Sequence, residues 1–158
     1  MIDEGHTVAI HGYSHDYAAI YKSDEAFMQN IYRLRDRLRS DFGYEAAIIR
    51  FPGGSSNTVS HFNPGIMTRL TNDLNDMGYA YFDWNVSAAD TASDATRYTV
   101  IENFKESVPK HDYSVVLQHD TNAFSVDAVE EILSWGIKNG YSFRALDLTS
   151  PAVHHSVA

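Results

Sequence analysis

The sequence predicts an α/β fold in which helices alternate with short strands around a mainly parallel sheet, open or closed into a barrel. Three observations predict it. Apolar residues recur at helical spacing in four segments, and short apolar or aromatic runs lie between them. A junction of helix, glycine, aromatic residue and strand then repeats at Gly43-Tyr44, Gly78-Tyr79 and Gly140-Tyr141. The opening Asp3-Glu4-Gly5-His6 reads as a fourth copy of that junction whose helix is missing, so the chain starts within a repeating unit.

Each element has its own reason. Thr7-Val8-Ala9-Ile10 is a short buried strand ending at His11. Ser23 caps a helix with Phe27, Ile31, Leu34, Leu38 and Phe42 on one face, and Gly43 stops it. A strand follows from Ala46 to Phe51. Asn63-Pro64 opens a second helix that turns Ile66, Leu70, Leu74 and Met77 inward, and Tyr79 to Trp84 is the next strand. A third helix over Ser93 to Glu106 carries Val100, Ile101 and Phe104. Ser114 to Gln118 is a strand. The fourth helix bears Val126, Val129, Ile132, Leu133 and Ile137, and a last strand lies near Tyr141 to Ala145.

At 158 residues the chain is read as one domain, 1–158. A 44% hydrophobic and 13% aromatic composition supplies a packed core. The net charge of −9 argues against nucleic acid or an anionic membrane surface as partner. No apolar run is long enough to span a bilayer, and no signal-peptide pattern opens the sequence. With no cysteine, a disulfide framework and a cysteine-ligated zinc are excluded.

Parallel strands present functional groups at their C-terminal ends. Those ends read His11 leading to His15, then Arg50-Phe51-Pro52-Gly53-Gly54, Asp83-Trp84-Asn85, and Leu117-Gln118-His119-Asp120. Singly, each has a plain structural reading: Arg50 a surface cation, Asp83 a turn former, His119 a hydrogen-bonded core histidine, Asp120 a helix cap. Together they describe an active-site rim. On an extended strand His11 and His15 would lie about 13 Å apart. A turn through Gly12 can swing them together, where both rings can meet one divalent metal; the plain structural reading is a pair of surface-loop histidines. Two imidazoles leave such a site incomplete, so a further ligand is required.

These residues resemble the motifs of the polysaccharide deacetylases with a NodB-homology domain, carbohydrate esterases of the peptidoglycan and chitin deacetylase type. His11-Gly12-Tyr13-Ser14-His15 resembles His-Ser/Thr-x-x-His, with Gly12 for the hydroxyl residue. Arg50-Phe51-Pro52-Gly53 resembles Arg-x-Pro-Tyr, with Gly53 for the tyrosine. Asp83-Trp84 matches Asp-Trp, and Leu117-Gln118-His119-Asp120 matches Leu-x-His-Asp. Arg-Phe-Pro-Gly-Gly-Ser and Tyr-Phe-Asp-Trp-Asn resemble the Gram-positive cell-wall members.

The resemblance implies a distorted (β/α)7 barrel, here N-terminally incomplete with about five strands and four helices. It implies de-N-acetylation of a cell-wall or chitin-like N-acetylglucosamine polymer, in a bacterial envelope or extracellular setting. His11 and His15 would hold a divalent metal, zinc first and cobalt as another candidate. His119 would protonate the departing amine, with Asp83 as the partner of its imidazole. The Gly53 N–H would face the oxyanion, and Trp84 and Leu117 would border the acyl group. Arg50 would orient a base aspartate. The family's Thr-Phe-Asp-Asp-Gly, which supplies that base and a metal-binding aspartate, has no counterpart here: Asp3 lies too close to His11, and Asp120 belongs to another motif. The chain is therefore expected to be an impaired enzyme, a fragment, a mis-started sequence or a degenerate relative, self-associating through an open barrel edge. An inactive glycan-binding relative and another α/β metallohydrolase are the alternatives. Tyr13, Phe51 and Tyr81 are sugar-stacking or core aromatics.

Overall fold

The computed structural model describes residues 1–158. The chain divides into two compact units, residues 1–83 with 145–158, and residues 84–144.

In the first unit a 3-10 turn at Ile2–Glu4 ends on Gly5, and the chain then runs extended to His11. Helix α1 is Tyr17–Ile20 and α2 is Asp24–Phe42. Ser23 caps α2 by accepting the Ala26 N–H, and Gly43 closes it. Phe27, Ile31 and Leu38 are buried, whereas Phe42, expected on the same face, is exposed. Strand β1, Ile48–Ile49, pairs in parallel with β2, Ala80–Tyr81, and Ile10 makes a parallel bridge to Ile49. The expected strands at Thr7–His11, Ala46–Phe51 and Tyr79–Trp84 thus exist as a short three-segment ladder. Its bonds run from Ile10 N to Ile48 O (2.8 Å), Arg50 N to Ile10 O (3.0 Å) and Phe82 N to Ile49 O (3.0 Å). Helix α3, Ile66–Asp76, begins after Gly65, because Asn63 spends its side chain on the Tyr21 and Lys22 carbonyls. Ile66, Leu70 and Leu74 are buried, and Met77 ends exposed beyond the helix.

An aromatic column runs through the core of this unit, from the exposed His15 by Tyr17 and the buried Tyr21, Phe27, Phe51 and Tyr81 to the exposed His154, with successive centroids 3.8 to 6.5 Å apart. Phe51 and Tyr81 are therefore core aromatics, and Tyr13 remains exposed. The returning segment 145–158 is tied down by Asp83 N to Val153 O (2.8 Å), Ala158 N to Ser55 O (3.1 Å) and Thr7 Oγ1 to Leu146 O.

The second unit packs α4, Arg97–Ser107, and α5, Ala123–Lys138, with a parallel pair of strands, β3 Val86–Ser87 and β4 Val116–Leu117. Its core is Val86, Ala88, Val100, Ile101, Phe104, Val108, Ala128 and Ile132. The α4 boundary is Thr96 rather than Ser93, because Thr96 and Thr99 form a reciprocal capping box. β3 was not anticipated. Asn85 starts it by imitating a peptide group, donating from Nδ2 to Tyr113 O and accepting Val115 N–H, each at 2.8 Å. The strand expected at Tyr141–Ala145 does not form. There Tyr141 stacks on Trp135 and Phe143 on Phe104, and the Tyr141 N–H closes the helix end at Gly136 O. Of the apolar residues expected inward on α5 only Ile132 is buried, beside Ser125, Ala128 and Gly136. No helix is long and apolar enough to cross a membrane.

Candidate active site

The histidine turn is built as its spacing required. Gly12 takes φ +92, a left-handed conformation natural to glycine, and the His11 and His15 rings meet edge-on with centroids 4.6 Å apart. His11 Nδ1 lies 2.8 Å from Arg50 O. A carbonyl can only accept, so Nδ1 carries the proton and Nε2 is the lone-pair nitrogen. A ring N–H fixed on a backbone carbonyl is the outer arrangement that metal-binding histidines use. In donor type the pair fits a borderline-soft divalent ion, and His11 does so in tautomer as well. It supplies two ligands only, since no cluster of three or more His, Asp or Glu side chains forms in the chain.

Arg50 stands at the end of β1 with Nε donating to Phe82 O at 3.1 Å and Nη2 to Asp83 O at 3.2 Å. Burial lowers its pKa from the usual value, against the opposing pull of Asp83. Gly53 sits at φ +80, and a Cβ there would lie 3.0 Å from Asn57 Cβ. This backbone explains why glycine occupies the position where the family motif has tyrosine. The loop bonds around it run from Gly54 N to Phe51 O and from Asn57 N to Gly54 O, which leaves the exposed Gly53 N–H outside them. Tyr21 donates its hydroxyl to Pro52 O at 2.7 Å and steadies the loop from the core, and burial raises its pKa.

Asp83 corrects an expectation. Its buried carboxylate accepts Ser55 N–H (2.8 Å), Ser55 Oγ–H (2.5 Å) and His155 N–H (2.9 Å). Both oxygens are thus spent on clasping the 53–56 loop and the C-terminal segment, so the side chain serves as a latch. His154 covers that end, stacked on Tyr81 at 3.8 Å with Nε2–H on the Tyr81 carbonyl.

In the second unit the partner of His119 is Asp90. Its Oδ1 lies 2.8 Å from His119 Nδ1, and Oδ2 accepts the His119 N–H and the Ser125 hydroxyl, each at 2.6 Å. Asn122 Nδ2 reaches the Asp90 carbonyl at 3.0 Å. Asp90 is 2% exposed. Burial alone would raise its pKa, but the bonds from Ser125 and from the ring and backbone of His119 outweigh this and hold it below the ordinary carboxylate range. With Nδ1 committed to a carboxylate, Nε2 is the nitrogen His119 presents. Ala89, just before Asp90, holds φ +52 and is the one non-glycine residue with positive φ. Such a residue costs about 1–3 kcal/mol and persists where surrounding bonds enforce it. Leu117 lies on β4 with its carbonyl on Ala88 N (2.9 Å), and Trp84 and Leu117 are half-buried. Asp90 was missed because Ser87-Ala88-Ala89-Asp90 has no periodicity.

Comparison with known proteins shows what the chain as a whole resembles. A family model described as polysaccharide deacetylase matches residues 1–82, which hold His11, His15, Arg50 and Gly53. The catalytic domain of a peptidoglycan N-acetylglucosamine deacetylase from Eubacterium rectale superposes with TM-score 0.96 and 48% identity, over 99% of this chain and 72% of that one. The polysaccharide deacetylase Bc1974 from Bacillus cereus matches with TM-score 0.81 and 25% identity, over 97% of this chain and 73% of that one. A curated peptidoglycan-N-acetylglucosamine deacetylase of Bacillus cereus is 28% identical over 147 residues, 90% of this chain and 50% of the relative. The chain spans about half the length of the curated relatives it matches.

Proposed function

The chain belongs to the polysaccharide deacetylase family, and from that premise we propose that it carries the site for removing acetyl groups from an N-acetylglucosamine-containing cell-wall glycan, with zinc or a similar divalent ion held by His11 and His15. The observation that carries this reading is the histidine pair, with Nε2 of His11 left as lone-pair nitrogen by the Nδ1–H bond to Arg50 O. When bound, such an ion supplies Lewis acidity at the acetamide carbonyl and acidifies a water.

The chain's own groups divide the remaining work. Protonated His119 delivers a proton from Nε2 to the departing amine, and Asp90 holds Nδ1–H and offsets the imidazolium charge. The Gly53 N–H is the oxyanion donor, held in place by Tyr21 on Pro52 and by Asp83 on Ser55. Trp84 and Leu117 border the acyl group, and Arg50 fixes the β1 end from which the loop departs. Two imidazoles supply neutral donors only, so occupancy of the pair, and with it turnover, should follow the amount of divalent ion supplied.

Acetate release from N-acetylglucosamine oligomers, with and without added zinc, tests the reading. Release should rise with zinc and fall in His119→Ala by about 10²–10⁴-fold, the worth of a positioned acid. Oligomer binding that survives a chelator, with no acetate released under any metal, would establish the non-catalytic glycan-binding reading instead.

A further inference from the structure

We propose that Asn30, on the second turn of α2, is the positioning residue that holds the His11–His15 turn in its ion-receiving shape before an ion arrives. The assignment rests on reading that pair as the metal site. Asn30 Oδ1 accepts the N–H groups of both Tyr13 (3.1 Å) and Ser14 (2.9 Å), and Nδ2 reaches back to Ser14 O at 3.4 Å. Those peptides lie between the two histidines. At the remaining position, a Cβ on Gly12 would sit 2.6 Å from Asn30 Nδ2, 3.3 Å from Ser14 O and 3.5 Å from Pro52 Cγ. The Asn30 amide thus touches or replaces something at every residue that separates His11 from His15.

The rest of the turn shows what this contact adds. His11 is fastened on one side by Arg50 O, and Asp16 caps α1 on the other by accepting the Ala19 N–H at 3.1 Å. Between these points the turn has no strand ladder and no helix of its own to take the Tyr13 and Ser14 donors, so a side chain must. Asparagine is a mediocre helix former because its amide competes for backbone groups. Here that amide serves backbone outside the helix. One turn on, the Arg33 guanidinium lies 3.6 Å from the centre of the Tyr13 ring. Arg35, Arg37 and Arg39 on the same helix each pair with a carboxylate, whereas Arg33 pairs with none, so its observed contact is with the turn. α2 therefore grips the turn twice, by amide and by guanidinium, and Asn30 is the residue that fixes its backbone.

Amide hydrogen exchange in the metal-free protein, followed by calorimetric titration with zinc, tests this. Tyr13 and Ser14 amides should exchange slowly in the wild type and in Asn30→Asp, which keeps the accepting oxygen. In Asn30→Ala they should exchange at least tenfold faster, while the α2 amides and the melting temperature stay close to wild type. Zinc affinity should fall about 10–100-fold in Asn30→Ala, the usual loss for an outer partner of a ligand, and recover in Asn30→Asp. Equal exchange of the two amides in wild type and Asn30→Ala overturns the proposal, as does equal zinc affinity in a wild type that binds. If the wild type takes up no zinc, the metal reading falls, and the holding role of Asn30 is decided by the exchange rates.

Discussion

At the scale of single residues, the second-unit site depends on one buried carboxylate with three donors, held behind the left-handed Ala89. The Asp90 pKa lies below the unfolded reference of 3.8. Its contribution to stability is therefore fully present above that value and is lost as pH falls through the lower folded value. Asp90→Asn should destabilise the protein by about 1–3 kcal/mol at neutral pH, since an amide cannot accept from all three donors. The gap between wild type and variant should narrow as pH falls below about 4. Urea midpoints of both proteins at several pH values from neutral downward check this, and a gap that stays constant would remove Asp90 as the titrating group. Sequence exposed the candidate residues that follow strands, because a strand end announces itself by an apolar run that stops: the positions of His11, Arg50, Asp83 and His119 were legible in that way, whereas the latch role of Asp83 was not. Asp90 lies in a loop reached only by its partner's position in three dimensions. Likewise, the left-handed backbone of Gly12 and Gly53 accounts for both departures from the family motifs, and no pattern of neighbouring letters reveals it.

At the scale of elements, helix ends were better written than helix faces. Ser23 and Gly43 bound α2 as read, because capping is a matter of local donors and acceptors. Thr96 is a cap that a looser reading placed three residues early. Its Oγ1 accepts Thr99 N–H at 3.2 Å, and Thr99 Oγ1 accepts Thr96 N–H at 2.9 Å. Thr96→Ala should therefore cost about 1 kcal/mol, with Thr96→Ser retaining most of it, or about 2–4 °C in melting temperature for a chain of this size. Thermal melts of the two variants decide the matter, and identical melting temperatures would mean that the box adds nothing. Faces are harder, because a helix apolar on two sides has two candidate stripes. On α5 the small residues Ser125, Ala128 and Gly136 face inward with Ile132, and a Cβ on Gly136 would meet the Phe143 ring at 2.6 Å. Close approach to an aromatic neighbour selected the small stripe, and no count of apolar residues along α5 could foresee it.

At the scale of the whole molecule, the order of β and α segments was legible, but their grouping into two units was not. That grouping rests on contacts between residues far apart in sequence, such as Thr7 with Leu146 and Asp83 with His155. The α5 stripe that lost the competition for the core has a consequence at this scale. Val126, Val129, Leu133 and Ile137 recur at helical spacing and remain 48%, 39%, 38% and 67% exposed. Burying a Val, Leu or Ile side chain fully is worth about 1.5–3 kcal/mol, so these half-covered ones are each worth about 1 kcal/mol. A symmetric pair covers the stripe from both copies, a gain comparable with the roughly 4–15 kcal/mol that association costs. The expected outcome is a weak, concentration-dependent dimer. The net charge of −9 on each copy opposes it, so added salt should strengthen association by screening that repulsion. Replacing Val129 and Ile137 together by glutamate puts two further negative charges from each copy into the contact and should leave a monomer with unchanged helix content. Sedimentation of the wild type and this double variant, at low and at physiological salt, is the check. A wild type that stays monomeric at about millimolar concentration, or a dimer that the double variant leaves intact, would place no interface on α5.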